Sequence, residues 1–95
     1  MDIRGWAVSK ILFESLNKIC YKTCISIRMD KLTGFQPEYL SYIKGFPRLQ
    51  ILSMVGITDI DKQVALLFSS LHSLEELDIR FTKLIYYYSN LILII

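Results

Sequence analysis

The most constraining feature of the sequence is a spacing of apolar residues near its C-terminal end. Apolar side chains recur at Leu71, Leu74, Leu77, Ile79 and Leu84, with Thr82 in a polar position between the last two. Residues 46–54 carry the same spacing 25 residues earlier, and residues 24–32 carry a fainter copy in which Ile25 corresponds to Leu52, at an offset of 27. A spacing copied at a nearly constant period predicts stacked units, because one such unit cannot bury its apolar side alone.

The segments between the copies have helical signals. The apolar rhythm of Val8 to Cys20 predicts a helix. Pro37 suits the start of a second helix and Gly45 its left-handed cap, and Asp59 or Asp61 can cap a third helix that ends near Ser70. Short alternating runs predict strands at 25–27, 50–55 and 75–80.

The spacing resembles that of leucine-rich repeats, Leu-x-x-Leu-x-Leu-x-x-Asn/Cys-x-Leu. The turn Gly56-Ile57-Thr58-Asp59 is similar to that of ribonuclease-inhibitor and F-box-associated repeats, although Ile57 stands where a polar residue is expected. Phe46-Pro47-x-Leu49 and the segment 74–79 also resemble the repeats of Zyg/Zer-type receptors in cullin ubiquitin ligases. The resemblance implies substrate recognition for ubiquitin ligation, but the sequence contains no F-box or cullin-box pattern.

The fold class expected is therefore α/β, a short leucine-rich repeat solenoid of about three repeats. Its parallel strands would line a concave side and its helices a convex side. The expected organisation is an N-terminal helix in 1–23, repeats in 24–84 and an apolar tail in 85–95. A Rossmann-type sheet has the same alternation of helix and strand, but the four glycines are scattered rather than grouped in a phosphate loop.

Catalytic, metal and cofactor chemistry find little support. His72 is the only histidine, and a metal site needs three or four ligands. Cys20 and Cys24 are interpreted as small buried apolar residues. Glu76 and Asp78 share one side of their strand, but no proton partner is evident beside them. We expect a protein that is not an enzyme and that uses no cofactor or metal.

The concave face is the expected binding surface for a partner protein. Alternation predicts that Cys24, Ser26 and Arg28 point outward on the first strand, in rows Cys24-Ile51-Glu76, Ser26-Ser53-Asp78 and Arg28-Val55-Arg80. The residues expected to contact the partner are Arg28, Ser53, Val55, Glu76, Asp78 and Arg80. A structural segment that supports a neighbouring domain is the alternative.

Other partner classes and locations are disfavoured. A formal net charge of +2 and a face of mixed charge do not suit nucleic acid, whose phosphates need a basic groove. The uncharged run Leu84 to Ile95 is shorter than the ~20 residues of a membrane-spanning helix. The N-terminus lacks the pattern of a secretory signal, and two cysteines do not make a disulfide framework. The expected location is the cytoplasm.

The first prediction concerns self-association. The run Leu84 to Ile95 is apolar and β-prone, and solenoid ends need polar caps, so we expect the chain to be a fragment of a longer repeat domain. The isolated chain should self-associate, and cutting it after Lys83 should not restore a monomer because the strand edge at 75–80 stays bare. Light scattering at micromolar concentration checks this, and a monodisperse, cooperatively melting monomer would show the expectation to be wrong.

Overall fold

The computed structural model describes residues 1–57 and 65–80 of the chain. Within them helices and strands alternate. Helix α1 spans Lys10–Cys20, strand β1 Ser26–Arg28, a 3-10 helix Pro37–Tyr42, strand β2 Ile51–Ser53, helix α2 Ala65–Ser70 and strand β3 Glu76–Asp78. The α/β class expected from the sequence is thus present in the described residues.

The three strands form one parallel sheet in the order β1-β2-β3. Ile27 lies beside Leu52, and Leu52 lies beside Leu77, so that neighbours are 25 residues apart at both steps. The expectation of parallel strands adjacent in chain order is confirmed. Parallel strands need a crossover between them. The 3-10 helix lies in the connection from β1 to β2, and helix α2 lies in the connection from β2 to β3.

The register of β1 corrects the sequence alignment by two residues. Ile27, not Ile25, lies beside Leu52. The apolar spacing of residues 24, 27 and 29 matches that of residues 49, 52 and 54, and Cys24 and Met29 are accordingly buried. Ile25 remains 45% exposed. The shift keeps Ile27 on the inward face, because the side-chain period of a strand is two.

The core lies between the inward face of the sheet and the helices. Phe13, Leu16 and Leu40 from the helical segments belong to one buried cluster with Ile27 and Leu52 of the strands. The residues whose burial the apolar spacing requires are all buried: Leu49, Leu52, Met54, Leu74, Leu77 and Ile79. The described helices therefore cover one face of the sheet, and none of them covers the other.

The helical segments are shorter than the sequence patterns suggested. Helix α1 begins at Lys10 rather than Val8, and it buries Phe13 and Leu16. The segment Pro37–Tyr42 is a 3-10 helix, with the proline in its first turn as expected. Gly45 follows it at φ +75°, the left-handed conformation that suits glycine. No helix in 1–57 or 65–80 has the length and apolar character to cross a bilayer.

Two expectations concern other parts of the chain. The caps proposed for the third helix, Asp59 and Asp61, lie outside the described residues, as does the apolar tail 85–95. The third helix itself is described over Ala65–Ser70, where it ends as expected.

An extended N-terminal segment adds to the sheet beside β1. The Ile3 N–H donates to the Arg28 carbonyl at 2.9 Å, the Arg28 N–H donates to the Met1 carbonyl at 2.8 Å, and the Gly5 N–H donates to the Asp30 carbonyl at 2.8 Å. Asp2 and Arg28 form a parallel bridge. Residues 1–5 therefore occupy the β1 side of the sheet, ahead of helix α1.

Two isoleucines test the corrected register. Ile27→Ala should lower the free energy of unfolding by ~2–5 kcal/mol, since it opens a cavity at a fully buried position. Ile25→Ala removes the same atoms from an exposed side chain and should cost less than ~1 kcal/mol. Urea denaturation followed by circular dichroism measures both changes. If Ile25→Ala lowers the free energy of unfolding more than Ile27→Ala does, the alignment that places Ile25 beside Leu52 is the correct one.

Candidate protein-binding face

One face of the sheet is not covered by any helix of the described residues. Because Ile27, Leu52 and Leu77 point into the core, the strand residues on either side of them point away from it. This surface, called the open face below, carries Ser26, Arg28, Ile51, Ser53, Glu76 and Asp78. Its neighbours along the ladder are Asp30, Val55 and Arg80, because the Lys31 N–H donates to the Val55 carbonyl and the Gly56 N–H donates to the Arg80 carbonyl.

The rows across the open face differ from the expected rows on the β1 side. Ser26 lies beside Ile51, and Arg28 lies beside Ser53. Cys24 is buried and does not belong to the surface. The pairing of β2 with β3 is as expected, with Ile51 beside Glu76. The error comes from the two-residue shift of β1, which moves every residue of that strand one row along.

Asp30, two residues beyond the end of β1, forms hydrogen bonds to the β2 side of the open face. One of its carboxylate oxygens accepts hydrogen bonds from the Ser53 hydroxyl at 2.6 Å and from the Val55 N–H at 2.8 Å. Ser53 is buried although it lies on the side of the sheet opposite the core. Its hydroxyl donor is used within the fold, so Ser53 contributes little beyond shape to a contact with a partner.

Asp78 and Arg80 form a paired unit on β3. The Arg80 Nε donates to one carboxylate oxygen at 2.9 Å and Nη2 donates to the other at 2.7 Å, while the Arg80 backbone N–H donates to the carboxylate at 3.2 Å. Partial burial raises the pKa of Asp78, but the bonds from Arg80 outweigh it and hold that pKa below its usual 3.8. A bidentate pair of this kind fixes the orientation of the guanidinium.

Asp2 and Arg4 repeat this arrangement at the other end of the sheet. The Arg4 Nε and Nη2 donate to the two carboxylate oxygens of Asp2 at 2.9 and 2.7 Å. The hydrogen bonds from Arg4 also lower the pKa of Asp2. Sequence reasoning missed this pair, although the tripeptide Asp-Ile-Arg occurs at both 2–4 and 78–80 and could have revealed it.

Two charged side chains of the open face have no partner of their own among the described residues. Arg28 is half-buried on β1, and Glu76 is exposed on β3; neither makes a side-chain hydrogen bond or ion pair in 1–57 or 65–80. A shallow depression of about 100 Å³ lies between them, lined in part by Ile51 and Asp78. Arg28 lies close enough to Asp2 to help lower the pKa of that carboxyl, but no described side chain is hydrogen-bonded to Arg28 or to Glu76. The open face thus offers a cation and an anion on opposite sides of Ile51 and Ser53.

The remaining candidates have no chemistry assembled around them. Burial, together with the neighbouring Cys24, raises the pKa of the Cys20 thiol to about 11, which disfavours the nucleophilic thiolate at neutral pH. His72 is exposed in the turn before β3. Within 1–57 and 65–80, no three histidine, cysteine or acidic side chains are grouped closely enough to hold a metal ion.

The Asp78–Arg80 pair gives a prediction about pH. A folded-state pKa below the usual value means that ionised Asp78 stabilises the fold fully above about pH 4, and that this contribution is lost as the pH falls through the folded value. Arg80→Met should therefore raise the pKa of Asp78 and remove that acid sensitivity. An NMR titration that follows the side-chain carboxyl carbon of Asp78 measures this pKa. The matched variant Arg4→Met should raise the pKa of Asp2 and leave Asp78 unchanged; an unchanged Asp78 pKa in Arg80→Met would contradict the pairing.

Comparisons with known proteins give no further indication of what the open face binds. No family model matches the chain, and no curated protein or solved structure is detectably similar to it.

Proposed function

We propose that the chain is a leucine-rich repeat segment that binds a partner protein through the open face. The observation that carries the proposal is the register, in which Ile27, Leu52 and Leu77 are buried neighbours at a constant spacing of 25 residues. That spacing falls within the 20–29 residues of such repeats. An α/β sheet built by other rules has no need of equal spacing at both steps.

Contacts outside the sheet support the same period. The Asn17 side-chain amide donates to the Tyr42 carbonyl at 2.7 Å, 25 residues away, and the Gly45 N–H donates to the Ser70 hydroxyl oxygen at 2.9 Å, also 25 residues away. The ring of Tyr21 packs edge-on against Phe46, again 25 residues along. Contacts between corresponding positions of successive segments are what a stack of similar units requires.

The open face has the properties of a recognition surface. The paired guanidinium of Arg80 is oriented before any partner arrives, so that binding loses little side-chain entropy there. Among the described residues, its Nη1 has no hydrogen-bond partner and remains available. Both signs of charge surround the half-buried Ile51 and Val55, an arrangement that suits a protein surface better than a phosphate backbone.

More specific roles stay hypotheses. Substrate recognition for a ubiquitin ligase rests on the resemblance of the repeats alone. A segment that only supports a neighbouring domain would need no oriented charges on its uncovered face.

A pair of matched triple variants tests the proposal. Replacing Glu76, Asp78 and Arg80 together with alanine should reduce capture of a specific partner from cell extract at least about tenfold, as expected when central contacts are lost. The control replaces Glu38, Glu75 and Arg48, exposed residues outside the open face with the same total charge. Quantitative mass spectrometry compares the two with the unaltered chain.

Folding must be retained for the comparison to be valid. Surface substitutions usually change stability within ~0.5 kcal/mol each, so thermal melting should remain cooperative in both triple variants. If the two variants capture the same proteins to the same extent, the binding site does not lie on the open face.

A further inference from the structure

We propose that the partner segment on the open face is an α-helix that crosses the strands from β1 to β3. It places an acidic side chain on Arg28, an apolar side chain on Ile51, and a basic side chain on Glu76. This inference rests on the proposed function and specifies the shape and chemistry of the partner.

The charge order of the helix follows from which groups on the open face are already paired. Asp2 lies beside Arg28 in the ladder, but its two carboxylate oxygens accept from Arg4. Asp78 lies near Glu76, but its carboxylate accepts from Arg80. Within 1–57 and 65–80, Arg28 and Glu76 are therefore the charged side chains of the open face without a hydrogen-bonded counterpart, although Asp2 interacts with Arg28 at longer range.

Between Arg28 and Glu76, β2 contributes Ile51 and Ser53 to the open face. Ile51 is half-buried and aliphatic, and the Ser53 hydroxyl is bound to Asp30. Covering Ile51 removes apolar surface from water, and the Ser53 hydroxyl already has its partner within the fold. An apolar side chain of the partner is the matching group at this point.

A helix suits this surface better than an extended segment. The backbone groups of β2 are used in the ladder with β1 and β3, so the open face offers no backbone hydrogen bonds to a partner. An extended segment laid over Ser53 and Ile51 would bury some of its own N–H and C=O groups without partners. A helix satisfies its backbone internally and can present one side to the sheet.

The distances fit seven residues of helix. β1 and β3 are two strand spacings apart, ~9.6 Å, and Glu76 is offset from the Arg28 row by two residues, ~6.8 Å, which gives a diagonal of ~12 Å. Residues i and i+7 of a helix lie on one side and ~10.5 Å apart, with i+3 and i+4 between them. The acidic residue at i and the basic residue at i+7 also suit the helix dipole.

Two peptides and one exchanged protein variant test the inference. The first peptide is an alanine-based helix with Glu at i, Leu at i+3 and i+4, and Lys at i+7; the second exchanges only the Glu and the Lys. At low salt the full chain should bind the first peptide about tenfold more tightly than the second, because the second peptide places like charges together at both ends. The double variant Arg28→Glu with Glu76→Arg, which has the same net charge, should prefer the second peptide.

Fluorescence anisotropy of labelled peptides gives the affinities. Since both proteins meet the same two peptides, differences in helicity between the peptides cancel in the comparison. Circular dichroism verifies that the double variant folds. If it does not, Glu76→Arg alone should abolish the preference, because its exposed side chain has no partner among the described residues.

Three results would overturn the inference. They are an unchanged preference in the exchanged variant, no binding of either peptide by the unaltered chain, and undiminished binding of the first peptide after a central non-contacting alanine is replaced by proline. The last result would indicate an extended occupant. The alanine variant of Glu76, Asp78 and Arg80 could lose its partner while the Arg28→Glu, Glu76→Arg variant keeps the original peptide preference. In that case the open face binds a protein, but not as the helix described here.

Discussion

The structure depends on one column of buried side chains, Ile27, Leu52 and Leu77, which are stacked as neighbours across the parallel sheet. Each is almost completely excluded from water, and truncation of any one would leave a cavity that the sheet cannot easily close. Because the side-chain period of a strand is two, the column also determines which residues cannot be buried with it. The core and the open face are therefore two consequences of the same constraint.

The charges of the open face follow from this placement. Residues that must point away from the core include both Arg28 and the acidic groups of β3, and local pairing satisfies some of them at once. Arg80 binds the carboxylate of Asp78, and Asp30 accepts from the Ser53 hydroxyl and the Val55 N–H. Among the residues that the structure describes, Arg28 and Glu76 have no hydrogen-bonded counterpart, and their charges are the ones we propose to meet an external partner.

Much of the fold could be predicted from the sequence, because apolar spacing directly reports which side chains need burial. Leu74, Leu77 and Ile79 were placed correctly on that ground. The β1 register could not be placed in the same way, since Cys24 and Met29 are weaker apolar signals than Ile25, which is exposed. The burial of Ser53 could not be predicted for another reason. Its hydroxyl bonds to Asp30, which lies just beyond the end of β1, and no periodicity within one strand reports such a bond.

Selective carbon labelling of isoleucine and leucine, followed by magic-angle-spinning NMR, tests the register most directly and does not require a monomer. Adjacent strands are ~4.8 Å apart, so a cross-peak between the Cα atoms of Ile27 and Leu52 is expected, as is one between Leu52 and Leu77. Ile25 and Leu52 should show none. A cross-peak from Ile25 to Leu52, with none from Ile27, would contradict the column and with it the assignment of Arg28 and Glu76 across the open face.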